Sequence, residues 1–351
     1  MYVKDWNNFC SNVYNRGEVG LGEMYVDDQW KSPNITELLI LLLELWVDNQ
    51  KTALSSLNAM SQSHTTDKDD IKYHYDMGND FYMTFLIDDL HAYSCGFFFC
   101  ETDDLNRAQY NKVHEVIRKL EVKPGDRVLD VGCGWGSIAN YVATKTKATV
   151  HGITLSDEQE KYSLKHYPDI YVKNISYVDM SIDVRYDKIY SIGMFEHVRC
   201  ENYNLFFNKM FDLLEPNGRM VLHTITHGMK PNNSTCAYQN EVYVTKHIFP
   251  GGQIPNIEWI TKAASAAGFR LTHMESYGGQ HYAKTLRTWR SYMMAKKEYI
   301  LSLGYTAEQI RSYEYYMAGC EANFLNDGMC ITHFVLTKNN ILEHVGFQCK
   351  A

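Results

Sequence analysis

The 351-residue chain has no CxxC pair and no regular spacing among its nine cysteines. That excludes a disulfide framework and points to reduced thiols in a cytoplasmic protein. Its fourteen histidines form no HExxH or comparable cluster, so the sequence offers no zinc site. Basic residues are outnumbered, 34 Lys and Arg against 42 Asp and Glu, for a net charge of −8. The balance argues against a nucleic-acid binder held by phosphate contacts and against permanent electrostatic attachment to anionic membrane. Met1-Tyr2-Val3-Lys4-Asp5-Trp6 lacks the apolar stretch of a secretory signal. The longest apolar run, residues 38–43, is far short of the roughly 20 residues a bilayer crossing needs. Flanked by Glu37 and Glu44, it reads as a buried helix. There is no internal repeat and no low-complexity tract. Apolar and aromatic side chains are abundant, 45% and 13% of the chain, enough for a sizeable core and for lining an apolar pocket.

Residues 1–60 read as a small helical segment, 61–71 as a polar linker, and 72–351 as one larger domain. In that domain a helix over Leu105–Leu120 precedes a strand over Arg127–Val131. A helix at 136–144, a strand at 149–153, a helix capped by Ser156 and a strand at 169–178 follow. A strand at 187–192, a helix at 203–214, a turn at Pro216-Asn217-Gly218 and a strand at 219–225 continue the pattern. A helix at 257–267, a strand at 270–275, helices from 283 and over 307–324, and a strand at 330–336 complete it. This alternation predicts an α/β fold with a doubly wound sheet and a ligand at the carboxyl ends of its strands. The long insert at 226–255 suits either a lid or substrate wall or a plain surface excursion.

The most specific signal is Val128-Leu129-Asp130-Val131-Gly132-Cys133-Gly134-Trp135-Gly136. A buried strand turns tightly into a helix there, and glycine lets backbone lie against a nucleotide-like ligand. The spacing is GxGxG, not the GxGxxG of a dinucleotide site. A dinucleotide enzyme also presents an acid after its second strand. Here Gly152-Ile153-Thr154-Leu155-Ser156 has none. Thr154 and Gln159 offer polar contacts instead, and Asp179 offers an acceptor for an adenine amino group. Taken alone, Thr154 and Ser156 serve equally to start a helix. Together with the loop these residues lean towards S-adenosylmethionine. Cys133 reads as present for its size.

VLDVGCGWG (128–136), GITLSDEQ (152–159), SIGMFEHV (191–198) and LHTIT (222–226) resemble the cyclopropane fatty acid synthase family, which includes the mycolic acid cyclopropane synthases. HYDMGNDFY (74–82), AYSCGFF (92–98), IFPGGQIP (248–255) and HYAKTLRTW (281–289) match as well, in the family's order from about residue 72 to 338. GEVGLGEMYVDDQW (17–30) resembles the N-terminal segment of the bacterial phospholipid enzymes, which the mycolic enzymes lack.

The resemblance implies a seven-stranded class I S-adenosylmethionine-dependent methyltransferase sheet with a small helical N-terminal segment. It implies methyl transfer to a cis alkene of an unsaturated lipid acyl chain, with a membrane phospholipid as the expected substrate. A carbocation then loses a proton to a bound bicarbonate and closes a cyclopropane ring. The positions matching the bicarbonate set are Cys95, Glu196, His223, Ile225 through its backbone, and Tyr282. Those matching the cofactor set are Tyr93, Ser94, Gly132, Cys133, Gly134, Thr154, Leu155, Gln159, Val178 and Asp179, with Ile192 packed nearby. The mycolic enzymes carry Trp-Glu where this chain has Val178-Asp179, so a ring that could cover the adenine is missing. Cys320 matches a cysteine described as catalytic in the family; with no neighbouring base in sequence, it reads as a structural thiol ranked below Cys95. Individually, His223 and Tyr282 read as core, Cys95 as a small buried hydrophobe, and Glu196 as a pocket-shaping acid. Their joint occurrence in matched motifs favours the ion-binding role. The implied context is a cytoplasmic enzyme with transient peripheral membrane contact, no nucleic acid, and a possible homodimer. The rivals are amine N-methylation or acyl-chain methyl branching, and a non-catalytic cofactor-binding protein on the same fold.

Overall fold

The computed structural model describes residues 1–53, 77–228 and 242–338. The expected linker at 61–71, the boundary at residue 60, the first part of HYDMGNDFY and the middle of the insert lie outside the described residues. In chain order the elements are β1 (Tyr2–Val3), α1 (Trp6–Val26), β2 (Trp30–Lys31), α2 (Ile35–Ala53), α3 (Asn79–Tyr82) and α4 (Leu105–Leu120). Then come β3 (Arg127–Val131), α5 (Ser137–Thr146), β4 (Thr149–Thr154), α6 (Asp157–His166), β5 (Tyr171–Asn174) and β6 (Tyr186–Ile192). The chain continues with α7 (Tyr203–Leu213), β7 (Leu214–His227), α8 (Tyr243–His247), α9 (Ile257–Ala266) and β8 (Arg270–Tyr277). It closes with α10 (Gln280–Ala295), α11 (Lys297–Ser302), α12 (Ala307–Leu325) and β9 (Met329–Thr337).

Local chemistry sets several of these boundaries. Asp104 caps α4 by accepting the Arg107 N–H at 2.7 Å, and Glu121 ends it in the left-handed conformation at φ 54°. Ser156 caps α6 by accepting the Gln159 N–H at 3.3 Å, as the sequence predicts.

The seven-stranded sheet runs β5-β4-β3-β6-β7-β9-β8. Neighbours from β5 through β7 pair parallel, while β9 is antiparallel to both β7 and β8. Side chains alternate between two buried faces, as a doubly covered sheet requires. Leu129, Ile189 and Leu222 pack with α7 and α9 through Phe206, Met210 and Ile260. Val128, Tyr190 and Val221 pack with α4 and α5 through Val113, Val116, Ala139 and Val142.

Four expectations need correction. The third strand spans only Tyr171–Asn174, and Tyr177–Asp179 is a single 3-10 turn. Ser176 accepts the Val178 N–H with its own hydroxyl at 3.3 Å, which offers the backbone an alternative to the ladder. Glu196, expected from the sequence to end the fourth strand, lies instead in a 3-10 turn, Phe195–His197, after β6 stops at Ile192. Gly193, at φ 66°, breaks the strand there. The run at 38–43 forms a helix that is only half-buried: Leu39 is inside, whereas Leu41 and Leu45 are 53% and 52% exposed. Six-residue apolar runs cover every side of a helix, and among the described residues the core meets mainly the side that carries Leu38, Leu39, Leu42 and Leu43. Cys10, Cys95, Cys100, Cys133, Cys320 and Cys330 are free, but Cys200 is disulfide-bonded. Spacing along the chain carries no information on which thiols the fold brings together.

The N-terminal helices share one core with the late helices. Phe9, Leu21, Trp30 and Leu39 pack in the same cluster as Trp289, Tyr315 and Phe324. Buried Glu321 on α12 fastens this arrangement, accepting from Thr36 Oγ1 at 2.9 Å and pairing with Arg287 and Arg290 at 2.7 and 2.9 Å.

Candidate functional site

A cavity lies at the carboxyl ends of β3, β4 and β6, where strand order reverses on either side of β3. Its floor is the glycine loop. The N–H groups of Gly132 and Cys133 both donate to Ile153 O, at 3.0 and 2.9 Å, which holds the turn against β4. Gly132, Gly134 and Gly136 take φ of 86°, 55° and 84°, a region L side chains rarely enter. A Cβ on Gly132 would lie 2.6 Å from Met194, and one on Gly136 2.2 Å from Ser163 Oγ. One on Gly134 would meet nothing within 4 Å, so that position keeps open space beside the backbone. Cys133 is buried against Gly152, whose Cβ would lie 2.7 Å from its Sγ.

The structure gathers Tyr93, Ser94, Gly132, Cys133, Gly134, Thr154, Leu155, Gln159 and Ile192 around this cavity. Thr154 Oγ1 donates to Gln159 Oε1 at 2.7 Å, so the two buried polar side chains orient each other. Val178 and Asp179 are not among the lining residues and both are exposed; Ser176 and Tyr177 form that wall. The 3-10 turn accounts for the displacement, since it tucks Tyr177 inward and turns the next two residues out.

Sequence reasoning missed what holds the Ala92–Ser94 wall. Gln109 Nε2 donates to Ala92 O and Ser94 O at 3.3 and 2.9 Å. Lys112 Nζ donates to Ser94 Oγ at 2.7 Å and to Gln109 Oε1 at 2.6 Å. Burial pushes the Lys112 ammonium down to about 8, against the opposing pull of Asp88, Cys95 and Asp130. The available signal was polar residues at 109, 112 and 119 on the face of α4 that the apolar period assigns to the core.

A second group adjoins the cavity. Cys95, Phe97, Tyr277 and Ile331 form a small buried cluster against which Ile225 and Tyr282 pack. The Ile225 N–H donates to Glu196 Oε1 at 2.7 Å. Glu196 Oε2 is buried with no hydrogen-bond partner among the described residues. Burial raises this carboxyl above its ordinary value, and the N–H groups of Ile225 and Glu196 and the Thr224 hydroxyl only partly oppose that. His223 sits two residues before Ile225 on the same face of β7, with the Phe97 ring stacked at 5.7 Å. Its Nδ1 lies 2.8 Å from His333 Nε2. Burial, reinforced by the charges of Lys112 and Lys119, holds His223 well below the usual imidazole range. Burial pushes the Cys95 thiol up, so it is a neutral group.

Cys320, on α12, stands apart from that cluster, among the aromatic side chains that flank Tyr93 and Tyr282. Burial pushes its thiol up to about 12. A neutral thiol is a poor nucleophile and a poor base, which fits a packing role.

The arrangement suits a dry anion site beside a nucleotide-like cavity. A buried carboxyl oxygen without a partner calls for a hydrogen-bonding ligand atom, and a buried anion calls for donors. Bicarbonate, with one hydroxyl and two acceptor oxygens, fits that demand, and the open side of Gly134 fits a cofactor lying on the loop.

The description "Mycolic acid cyclopropane synthetase" matches residues 62–334. The cyclopropane-fatty-acyl-phospholipid synthase of Escherichia coli is 30% identical over 329 residues, covering 90% of this chain and 82% of that protein. Cyclopropane mycolic acid synthase 1 of Mycobacterium tuberculosis is 34% identical over 282 residues, covering 76% and 96%. The crystal structure of mycolic acid cyclopropane synthase CmaA1 complexed with SAH and CTAB superposes with a TM-score of 0.70 at 31% identity, covering 79% of this chain and 99% of that one. The chain therefore belongs to the mycolic acid cyclopropane synthetase family and is an S-adenosylmethionine-dependent methyltransferase.

Proposed function

We propose that this enzyme transfers the methyl group of S-adenosylmethionine to the cis double bond of an unsaturated acyl chain, in a phospholipid, and closes a cyclopropane ring with bicarbonate as the base. The observation that carries this reading is Glu196. Its Oε2 is buried and has no partner among the described residues, its Oε1 is fixed by Ile225, Cys95 and Tyr282 pack with Ile225, and His223 lies two residues before Ile225 on β7. When bound, S-adenosylmethionine supplies an electrophilic methyl group and bicarbonate supplies a proton acceptor.

The chain's own residues supply binding, orientation and exclusion of water. The Gly132–Gly134 backbone and the Thr154–Gln159 pair would hold the cofactor. Val178 and Asp179 would approach it only from the exposed rim. Glu196, kept protonated by burial, would donate to the anion and so avoid two adjacent negative charges. The Ile225 N–H would keep that carboxyl aimed. Tyr93, Tyr82, Phe85 and Trp289 pack edge and tilted against one another beside the cavity. Such faces stabilise a cation and repel water.

A phospholipid substrate is supported by the reach of the Escherichia coli likeness, which covers 90% of the chain against 76% for the mycolic relative. Among the described residues no helix is long and apolar enough to cross a membrane, and contact with the bilayer is proposed to be transient and peripheral. Mass spectrometry of lipids from cells expressing the protein tests the reaction. Cyclopropane-bearing acyl chains support it. Methyl-branched chains, or methylated amines with unchanged lipids, overturn it.

A further inference from the structure

β7 and β9 pair antiparallel with His223 opposite His333, and both imidazoles are buried, 1% and 0% exposed. His223 Nδ1 lies 2.8 Å from His333 Nε2, and His333 Nδ1 lies 3.0 Å from Lys119 Nζ. Lys119 projects from the inward face of α4, and its remaining contacts are Tyr277 Oη and Glu275 Oε2, each at 2.7 Å. An ammonium has three donors and no acceptor. All three contacts of Lys119 are therefore donations, and His333 Nδ1 accepts one of them. The proton of a neutral His333 then sits on Nε2 and is donated to His223 Nδ1. By the same step the proton of a neutral His223 sits on its own Nε2, at the far edge of the ring.

The surrounding charges agree with this assignment. Burial and the charges of Lys112 and Lys119 hold His223 and His333 well below the usual range, so both rings are neutral. Lys119 is paired with Glu275, whose carboxyl it pulls down to about 2, and Glu115, Arg118 and His273 lie on the rim around the pair.

We propose that Lys119 and His333 are positioning residues that lock His223 in its Nε2–H tautomer, so that His223 donates a hydrogen bond to a small oxyanion and does not itself take the proton from the substrate. The identity of the oxyanion as bicarbonate rests on the reading above; the tautomer does not. The chain of donors runs inward from the Lys119–Glu275 ion pair through His333 to His223, two residues before Ile225 on β7. It directs a polarised N–H at an anion in a low-dielectric pocket, where such a bond is worth more than in water. Deprotonation is thereby left to the anion.

Histidine-ring ¹⁵N spectra of the full chain, with His223 assigned through a His223→Gln variant, read the tautomer directly. The wild type is expected to carry the proton on Nε2. His333→Phe removes both donor and acceptor, whereas His333→Gln keeps both, its carboxamide oxygen accepting from Lys119 and its NH₂ donating to His223. The Phe variant is expected to show mixed tautomers and a half-saturating bicarbonate concentration raised roughly tenfold, the Gln variant to stay within about threefold of wild type. A wild-type proton on Nδ1, an unchanged tautomer in His333→Phe, or equal behaviour of the two variants overturns the proposal. If the Nε2–H tautomer is present and ring formation never responds to bicarbonate, the positioning holds and the oxyanion reading falls.

Discussion

The Ile225 backbone N–H donates to Glu196 Oε1 at 2.7 Å, joining the turn after β6 to the adjacent strand β7. The bond fixes one carboxyl oxygen and leaves the other buried without a partner among the described residues. Glu196→Gln keeps the shape and replaces the donor-acceptor pattern. It is expected to lower turnover by about 100-fold or more while changing the cofactor dissociation constant by less than about threefold. Single-turnover rates and a cofactor titration on the same preparation check this. A parallel loss of cofactor binding would assign Glu196 to the cofactor site instead.

Asp130 makes stability depend on pH. Burial raises its carboxyl from 3.8 to about 7, with the Tyr190 hydroxyl and the Lys112 charge opposing. A raised carboxyl pKa means that the folded state binds the proton more tightly than the unfolded chain does. The resulting stabilisation is complete below the unfolded pKa and is lost as pH rises through about 7. Glu18, also raised to about 7 by burial, acts in the same direction. Between about pH 5 and about pH 8 the wild-type thermal midpoint is therefore expected to lose ground to that of Asp130→Asn, which lacks this dependence. A variant with an unchanged slope would contradict this.

Two glycines of one loop are expected to fail differently. Gly136→Ala drives a Cβ to 2.2 Å from Ser163 Oγ at a φ of 84° and should destabilise the fold by about 2–3 kcal/mol. Gly134→Ala meets open space, and only the φ of 55° opposes it, so its stability loss should be about 1 kcal/mol. Its main effect should be on cofactor affinity. Denaturant unfolding and cofactor titration of both variants separate the two outcomes.

Glu321→Ala tests whether the N-terminal helices depend on the catalytic half. Glu321 is 1% exposed and holds Thr36 of α2 with Arg287 and Arg290 of α10. Removal leaves Arg290 partly buried and uncompensated, a change worth about 3–5 kcal/mol. A loss below about 1 kcal/mol in thermal or urea unfolding would mark the ion pair as incidental.

The sheet was legible where signals are local. Helix Leu105–Leu120 and strand Arg127–Val131 fall where the apolar pattern puts them. The glycine loop announced the cavity because its conformational demand is written in single residues. What was not legible is mostly long-range. His333 meets His223 only because β9 inserts antiparallel beside β7, a pairing of residues 110 apart in sequence. The apolar period puts Lys119 on the core-facing side of α4, but its partners there, Glu275 on β8 and His333 on β9, are set by long-range packing. Tyr177–Asp179 misled because Ser176 competes with the ladder for a backbone N–H, a choice that a run of β-formers hides. The motif resemblance reached Cys95, Glu196, His223, Ile225 and Tyr282 together, whereas each residue alone reads as ordinary core.

The most direct measurement is incubation of the purified chain with unsaturated phospholipid vesicles and methyl-labelled S-adenosylmethionine, with and without bicarbonate, and identification of the lipid products. The account predicts labelled cyclopropane phospholipid whose rate of formation falls when bicarbonate is removed. Labelled methyl-branched lipid, or ring formation at an unchanged rate without bicarbonate, would contradict it.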